Sequence, residues 1–380
     1  MRPALVAIAL LLGTATTALA GERLRLPNGV TLTIDGDSPN TTVYARRAKE
    51  KIVLADKRDF DSLRLAPDKQ SIVAGYTIWF SAGSRSGERR FTLPEIDAAF
   101  ELDAARVAKR RKQLPVAEAA LARALALTPS TALAADLAAV RLALGNRDGA
   151  VAALQPFVER ELPALRERLL SDAALAPLTD EPRLLPPSTI TPGTSQLRDD
   201  GALTPGPFAV SGDWLAVERS STADGSGFTH SDLVVYSLSR GTPIARFPLF
   251  AQEREEDVAK TVKRAPVKRR LALLNRLLRE LGFGPPPPDL EEARRGPDRD
   301  DGSSKLKLHF DKAKLGIVYR AGTVRLLRGD EVLAERKLTL HGASAVWWPE
   351  KRMAIVEWSV EGDYHHGVDS DAGVLFLKAP

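Results

Sequence analysis

Two distant stretches of this chain read as copies of one unit. The first, at 208–238, is FAVSGDWLAVERSSTADGSGFTHSDLVVYSL; the second, at 346–377, is VWWPEKRMAIVEWSVEGDYHHGVDSDAGVLFL. Each reads as strand, tight turn, strand, long polar loop and closing strand. Ala216-Val217-Glu218-Arg219-Ser220 aligns with Ile355-Val356-Glu357-Trp358-Ser359, and the loop before the closing strand has nearly the same length in both. A fainter echo runs over 63–80, where Pro67-Asp68-Lys69 parallels Pro349-Glu350-Lys351. A single unit of this kind leaves an apolar face uncovered, so the copies need neighbours. The expectation is that the two distant segments share one hydrophobic interior.

The chain has 380 residues, enough for two or three domains with real cores. Its formal net charge of +5 is spread among interspersed acids and bases, which argues against a dedicated nucleic-acid surface. The basic runs Lys109-Arg110-Arg111-Lys112 and Lys268-Arg269-Arg270 fall on expected helices and read as solvated faces. Residues 1–20 read as a signal peptide, with Arg2 at the start, an apolar run over 4–12, and Ala18-Leu19-Ala20 as the small-x-small cleavage pattern. Beyond Ala20 no apolar stretch is long enough to span a bilayer, and the chain contains no cysteine. The expected compartment is therefore the periplasm or the exterior, without membrane insertion after signal removal.

An N-terminal β segment fills 21–93. Asn28-Gly29 suits a primed hairpin turn, Ile52-Val53-Leu54 a short strand, and 81–90 a polar Gly/Ser loop. Pro67 presets φ for a type I turn. At Pro94 the apolar period changes from two to 3.6, opening a helical module over 94–179. Ala117, Ala120, Leu121, Ala124 and Leu125 line one helix; Leu133, Leu137, Val140 and Leu144 line the next, which ends at Gly145-Asn146; 162–178 reads as a capping helix. A Pro/Ser/Thr-rich linker at 180–207 precedes the first copy, whose unit extends over 208–250. A helical insertion at 251–283 follows, with Leu271, Leu274, Leu277, Leu278 and Leu281 on one face, and then a charged, disordered linker at 284–305. The C-terminal meander and second copy occupy 306–380.

Within the helical module, Ala117, Leu121, Ala124 and Pro129, then Leu137, Gly145, Ala150 and Leu154, resemble the signature of tetratricopeptide repeats over about 100–165. Small residues stand where paired helices touch and larger ones fill the groove between pairs. Pro156 falls inside the last helix and should shorten it. Two repeats are too few to stand alone, so the module must lean on the rest of the chain. The resemblance implies a surface offered to a peptide or protein.

The turns Pro67-Asp68-Lys69, Ser211-Gly212-Asp213 and Pro349-Glu350-Lys351, each between two strands, resemble those of β-propeller blades. Closed propellers need at least about four blades, so an incomplete propeller and a sandwich of facing sheets both stay open. The segment 208–283 also resembles predicted secreted bacterial proteins, a likeness that carries no chemistry. The expected fold class is α+β.

The densest polar cluster is Asp363-Tyr364-His365-His366-Gly367-Val368-Asp369-Ser370-Asp371. Imidazole and carboxylate suit a divalent metal or a polar ligand, and the first copy places His230, Asp224 and Asp232 in the matching loop. Asp363, His365, His366, Asp369 and His230 are the candidate binding residues; the alternative is a solvated hairpin in which Asp and Gly serve the turns. No G-x-S-x-G, H-E-x-x-H or G-x-x-x-x-G-K-[ST] occurs, and no cofactor is expected. Trp347 and Trp348 are adjacent on a strand and must point to opposite faces. The reading is an exported, non-catalytic interaction protein with a protein or peptide partner. The alternative is a hydrolase or metal-dependent enzyme with its site on the His365–Asp371 loop.

Overall fold

The computed structural model describes residues 23–36, 41–80, 83–187, 189–198, 201–206, 208–223, 228–254, 264–295, 306–320, 322–338, 342–360 and 371–380. The signal-peptide reading of 1–20 lies outside them.

The fold is α+β, with antiparallel sheets at both ends of the chain and helices between. Strands β1 (Arg23–Arg25), β2 (Thr31–Asp35), β3 (Thr41–Arg47), β4 (Glu50–Leu65), β5 (Ser71–Phe80) and β6 (Gly83–Thr92) form a meander in chain order. The first connection is not a two-residue primed turn. Gly29 alone has positive φ, at 79°, and Leu26 N–H donates to Val30 O at 2.8 Å across Pro27-Asn28-Gly29. Pro27 sets a type I turn, and Gly29 supplies the left-handed residue that closes a three-residue loop. The segment expected as a loop at 81–90 is instead mostly β6, paired with β5 from Ser71↔Thr92 to Phe80↔Gly83. Its Gly, Ser and Arg residues are poor strand formers, yet they suit an edge that must not recruit further strands.

Helix α1 (Leu93–Arg110) starts with a capping box between Thr92 and Glu95 and buries Ile96 and Phe100 in the core of this sheet. Helices α2 (Leu114–Leu127), α3 (Thr131–Ala143) and α4 (Arg147–Leu154) follow, packed through Ala105, Ala108, Ala117 and Ala120 against Leu121, Leu137 and Val140. The last is short as Pro156 requires, giving way to a 3-10 turn at Gln155–Phe157. The expected helix over 162–178 is divided. Helix α5 (Leu162–Ser171) ends where Asp172 caps a separate 3-10 segment, Ala173–Leu178, which holds Pro177.

The 180–207 segment is docked rather than free. Gly193 N–H donates to Arg279 O at 2.8 Å, and Asn275 bonds both the N–H and the carbonyl of Leu197. A Cβ on Gly193 would lie 2.4 Å from the backbone N and O of Phe283, so the close passage needs glycine. A short hairpin, β7 (Gln196–Leu197) with β8 (Leu203–Thr204), leads into the first copy.

The first copy is a four-stranded sheet ordered β12-β11-β10-β9, comprising β9 (Phe208–Ser211), β10 (Trp214–Ala223), β11 (Phe228–Ser237) and β12 (Thr242–Arg254). Helix α6 (Ala265–Glu280) covers one face, burying Leu271, Leu274, Leu277 and Leu278 against Ala216, Leu233, Val235 and Phe247. The stretch 284–295, expected to be disordered, supplies β13 (Glu291–Glu292) and β14 (Arg294–Arg295), which pair onto two further sheets. Glu291 fixes it there by accepting the backbone N–H groups of Lys312 and Ala313. Those sheets are β13-β19-β20-β21, with β19 (Gly342–Trp348), β20 (Met353–Val360) and β21 (Asp371–Lys378), and β14-β15-β16-β17-β18, with β15 (Leu306–Phe310), β16 (Leu315–Arg320), β17 (Thr323–Arg328) and β18 (Glu331–Lys337).

The three C-terminal sheets stack. Leu215, Val217, Val234 and Tyr236 of the first copy meet Trp348, Met353, Ile355 and Phe376 of the second in one core. The opposite face of the second copy, with Trp347, Ala354 and Val356, packs on Leu308, Ile317, Val324 and Leu326. The two segments therefore do share an interior. Val217 and Val356 are equivalent in a further sense: each lies on the face its sheet turns toward the next in the stack. Both tryptophans of Trp347-Trp348 are buried because this middle sheet is covered on both sides. Among the described residues no closed barrel or propeller forms.

Candidate functional site

The site lies where the helices meet the first copy, and its floor is a pair of turns. Gly212, with φ +55°, and Asp213 join β9 to β10; Leu238 to Gly241 joins β11 to β12. Asp213 ties the two turns together. Its carboxylate accepts from Ser237 Oγ at 2.7 Å, Ser239 Oγ at 2.7 Å and Ser239 N–H at 2.8 Å, while its carbonyl accepts from Leu238 N–H. Burial alone would raise its pKa. The donors from Ser239 and Ser237 outweigh that and hold the carboxyl below its ordinary value, helped by Lys351 of the second copy's turn. Arg240 is fixed on this framework through its N–H to Ser237 Oγ.

Over the turns opens a cleft of about 670 Å³. It is lined by Glu159 and Arg160 from the turn between the 3-10 segment and α5, Thr189 to Thr191 from the docked linker, Val210 to Trp214, Ser237, Ser239, Arg240, Ile244 and Gly282. A second cleft of about 480 Å³ is lined by Ser130 to Ala132 at the start of α3, by Glu161, Ala164, Glu167 and Arg168 of the α5 region, by 244–248 of β12, and by Arg270. Ile244 borders both. The two clefts therefore adjoin at this residue, and together they form the furrow between helices and sheet.

Its walls are held by ion pairs. Arg270 reaches Glu167 on α5 and donates to the carbonyl of Pro248 on β12 at 3.0 Å. Arg270 is thus a brace, a correction to the solvated face expected for Lys268-Arg269-Arg270. Arg166, 1% exposed, donates through Nη2 to Glu280 of α6 at 2.7 Å and through Nη1 to the carbonyl of Thr179 at 2.8 Å. The β12 edge carries Pro243 and Pro248, which lack N–H donors and make it a poor template for an added strand.

Of the residues singled out in the sequence, His230 lies in β11 opposite Ser221. Asp363, His365, His366 and Asp369 lie outside the described residues, as does Asp224. Asp232 is buried and paired with Arg246, a structural use. Among the described residues no group of three His, Asp or Glu side chains is arranged to hold a metal ion, and no helix is long and apolar enough to cross a membrane. The furrow residues escaped sequence reading because they come from separate turns, helices and strands that meet only in the fold. Only the Ser-Gly-Asp turn, with Ser237 and Ser239 two strands later, gives a local sign of that end of it. Comparison with family models, curated proteins and solved structures finds no match to this chain.

Proposed function

We propose that this is a non-catalytic, exported interaction protein that receives a segment of another protein in the furrow between its helices and its first repeated sheet. The observation that carries the reading is the furrow's form: two clefts joined at Ile244, open along a seam whose walls are cross-braced by Arg270 and Arg166. Two adjoining, pre-formed clefts with braced walls suit an extended chain that occupies both, because little conformational freedom is lost in the receptor on binding.

The chemistry inside points the same way. Ser211 Oγ donates to Leu281 O, and Ser237 and Ser239 donate to Asp213, so these hydroxyls are committed. Among the described residues no histidine lines either cleft. The paired helices resemble tetratricopeptide repeats, whose surfaces take peptides, and here one end of the array forms a furrow wall. The stacked C-terminal sheets read as blade-like units serving as the scaffold of the opposite wall. The N-terminal signal-peptide pattern supports an encounter outside the cytoplasm.

The test is a photo-crosslinking amino acid at Ile244, with Val332 on the remote edge strand β18 as control, in cells that export the protein. Position 244 should give a discrete adduct with another protein and position 332 should not. Equal adducts at both, or none at 244, would contradict the reading.

A further inference from the structure

We propose that the end of the helical array opposite the furrow docks on an anionic lipid membrane, which the protein rests on without crossing. This surface is separate from the furrow and does not depend on it. Helix α1 ends at Arg110 and α2 begins at Leu114, so Arg111, Lys112 and Gln113 form a tight corner. Arg106, Arg110, Arg111 and Lys112 are exposed there, and among the described residues none of the four has an ion-pair partner. Lys109 reaches Asp136 on α3 at 3.9 Å, and Glu118 is taken up by Arg141. On the adjoining start of α4, Arg147 and Arg183 are matched by Asp148 and Glu181. Even with Asp103, one turn before Arg106, counted against it, the corner keeps an excess of cations.

Apolar side chains protrude beside these cations. Five large ones are exposed among the described residues, and two of them stand at this end: Val116, 55% exposed, and Leu144, 39%. Arg141 of α3 donates to Glu118 of α2 at 2.9 Å. Val116 lies just before Glu118 and Leu144 one turn beyond Arg141, which puts both at the same end of the antiparallel pair. A helix C-terminus favours nearby cations, which accounts for Lys109 and Arg110 but gives no reason for Val116 and Leu144 to stand in water next to them. Cations around protruding aliphatics match a membrane surface, where lipid phosphates take the charge and the aliphatics enter the acyl boundary. A soluble polyanion would answer the cations alone. The orientation also leaves the furrow usable. Helix α3 starts at Thr131 on the furrow and leads to Leu144 at this corner, about 20 Å away at about 1.5 Å per residue.

The test is cosedimentation of the purified mature chain with sucrose-loaded vesicles, made of phosphatidylcholine alone or enriched in phosphatidylglycerol. Binding to the anionic vesicles should be at least about tenfold tighter than to the neutral ones and should weaken as salt rises. The double variant Arg110→Glu with Arg111→Glu should weaken it at least about tenfold. Val116→Ser with Leu144→Ser, which leaves every charge in place, should weaken it about fivefold. Lys337→Glu on β18 should leave it unchanged, and thermal melts report that each variant is folded. Equal binding to both kinds of vesicle, or anionic binding that survives the charge reversal, would overturn the proposal. If the Val116 and Leu144 changes have no effect and labelled polyglutamate binds as tightly as the vesicles do, the corner serves a soluble polyanion and the lipid reading falls.

Discussion

Glu280→Gln should destabilise the protein more than Arg166→Met, although the two changes break the same ion pair. Arg166 is 1% exposed and gives Glu280 two hydrogen bonds, at 2.7 and 3.2 Å, with a third to the Thr179 carbonyl. Glu280 keeps a second cation, Arg276, at 2.6 Å, and its side chain is 23% exposed. Neutralising Glu280 leaves a guanidinium in the packed interior with only neutral acceptors. Breaking a buried pair in this way costs about 3–5 kcal/mol, and the partial exposure of Glu280 places the expectation at about 3. Replacing Arg166 with Met removes the buried charge and fills much of its volume, leaving Glu280 to Arg276 and water. The loss is then about 1–2 kcal/mol, chiefly the hydrogen bonds. Urea unfolding followed by tryptophan fluorescence measures both, since Trp214 packs near Phe283 just beyond α6. The pH dependence has a definite sign. Burial would raise the Glu280 pKa, but Arg166 and Arg276 hold it below the ordinary value. Its stabilisation is therefore present above the unfolded-state pKa and is lost as pH falls through the lower folded-state pKa. The gap between wild type and Glu280→Gln should close in acid. A larger cost for Arg166→Met, or a gap unchanged in acid, would refute the reasoning.

Glu357 gives the opposite sign. Burial raises its pKa, against the bond it accepts from Ser344 Oγ, so its ionisation opposes folding as pH rises from the unfolded-state to the folded-state value. Glu357→Gln keeps the acceptor and should raise stability slightly at neutral pH, with the benefit fading in acid, as read by thermal melts across pH. Gly193→Ala places a methyl against the Phe283 backbone and should undock the linker at a cost of about 2–4 kcal/mol. Hydrogen exchange should then rise at 193–197 while the sheet of β1 to β6 is unaffected.

What the sequence revealed depended on whether the governing interaction was local. Helix α6 was legible because its leucines keep a 3.6-residue period and Gly282 ends it in a left-handed conformation, φ +72°. The repeat was legible because strand alternation survives in both copies. Strand β6 was not, since what makes Ser84-Arg85-Ser86-Gly87 extended is the neighbouring β5 and not its own side chains. The stretch from Gly284 to Arg295 misled for a related reason: its proline and charge content lacks a core of its own, yet β15 and β19 offer edges to pair with. The furrow was least legible of all. Residues 159–161, 189–191, 211–214, 237–244 and 270 converge only after the helical array, the linker and the first copy have docked. The His365–Asp371 loop, singled out for its composition and its counterpart in the first copy, lies outside the described residues up to Ser370.

The most direct test of the account is hydrogen–deuterium exchange of the mature chain with and without the protein captured at Ile244. The account predicts protection in two places, 159–168 at the helical wall and 242–248 on β12, with exchange unchanged over β15 to β18. Protection confined to those remote strands, with the furrow walls exchanging as in the free protein, would contradict it.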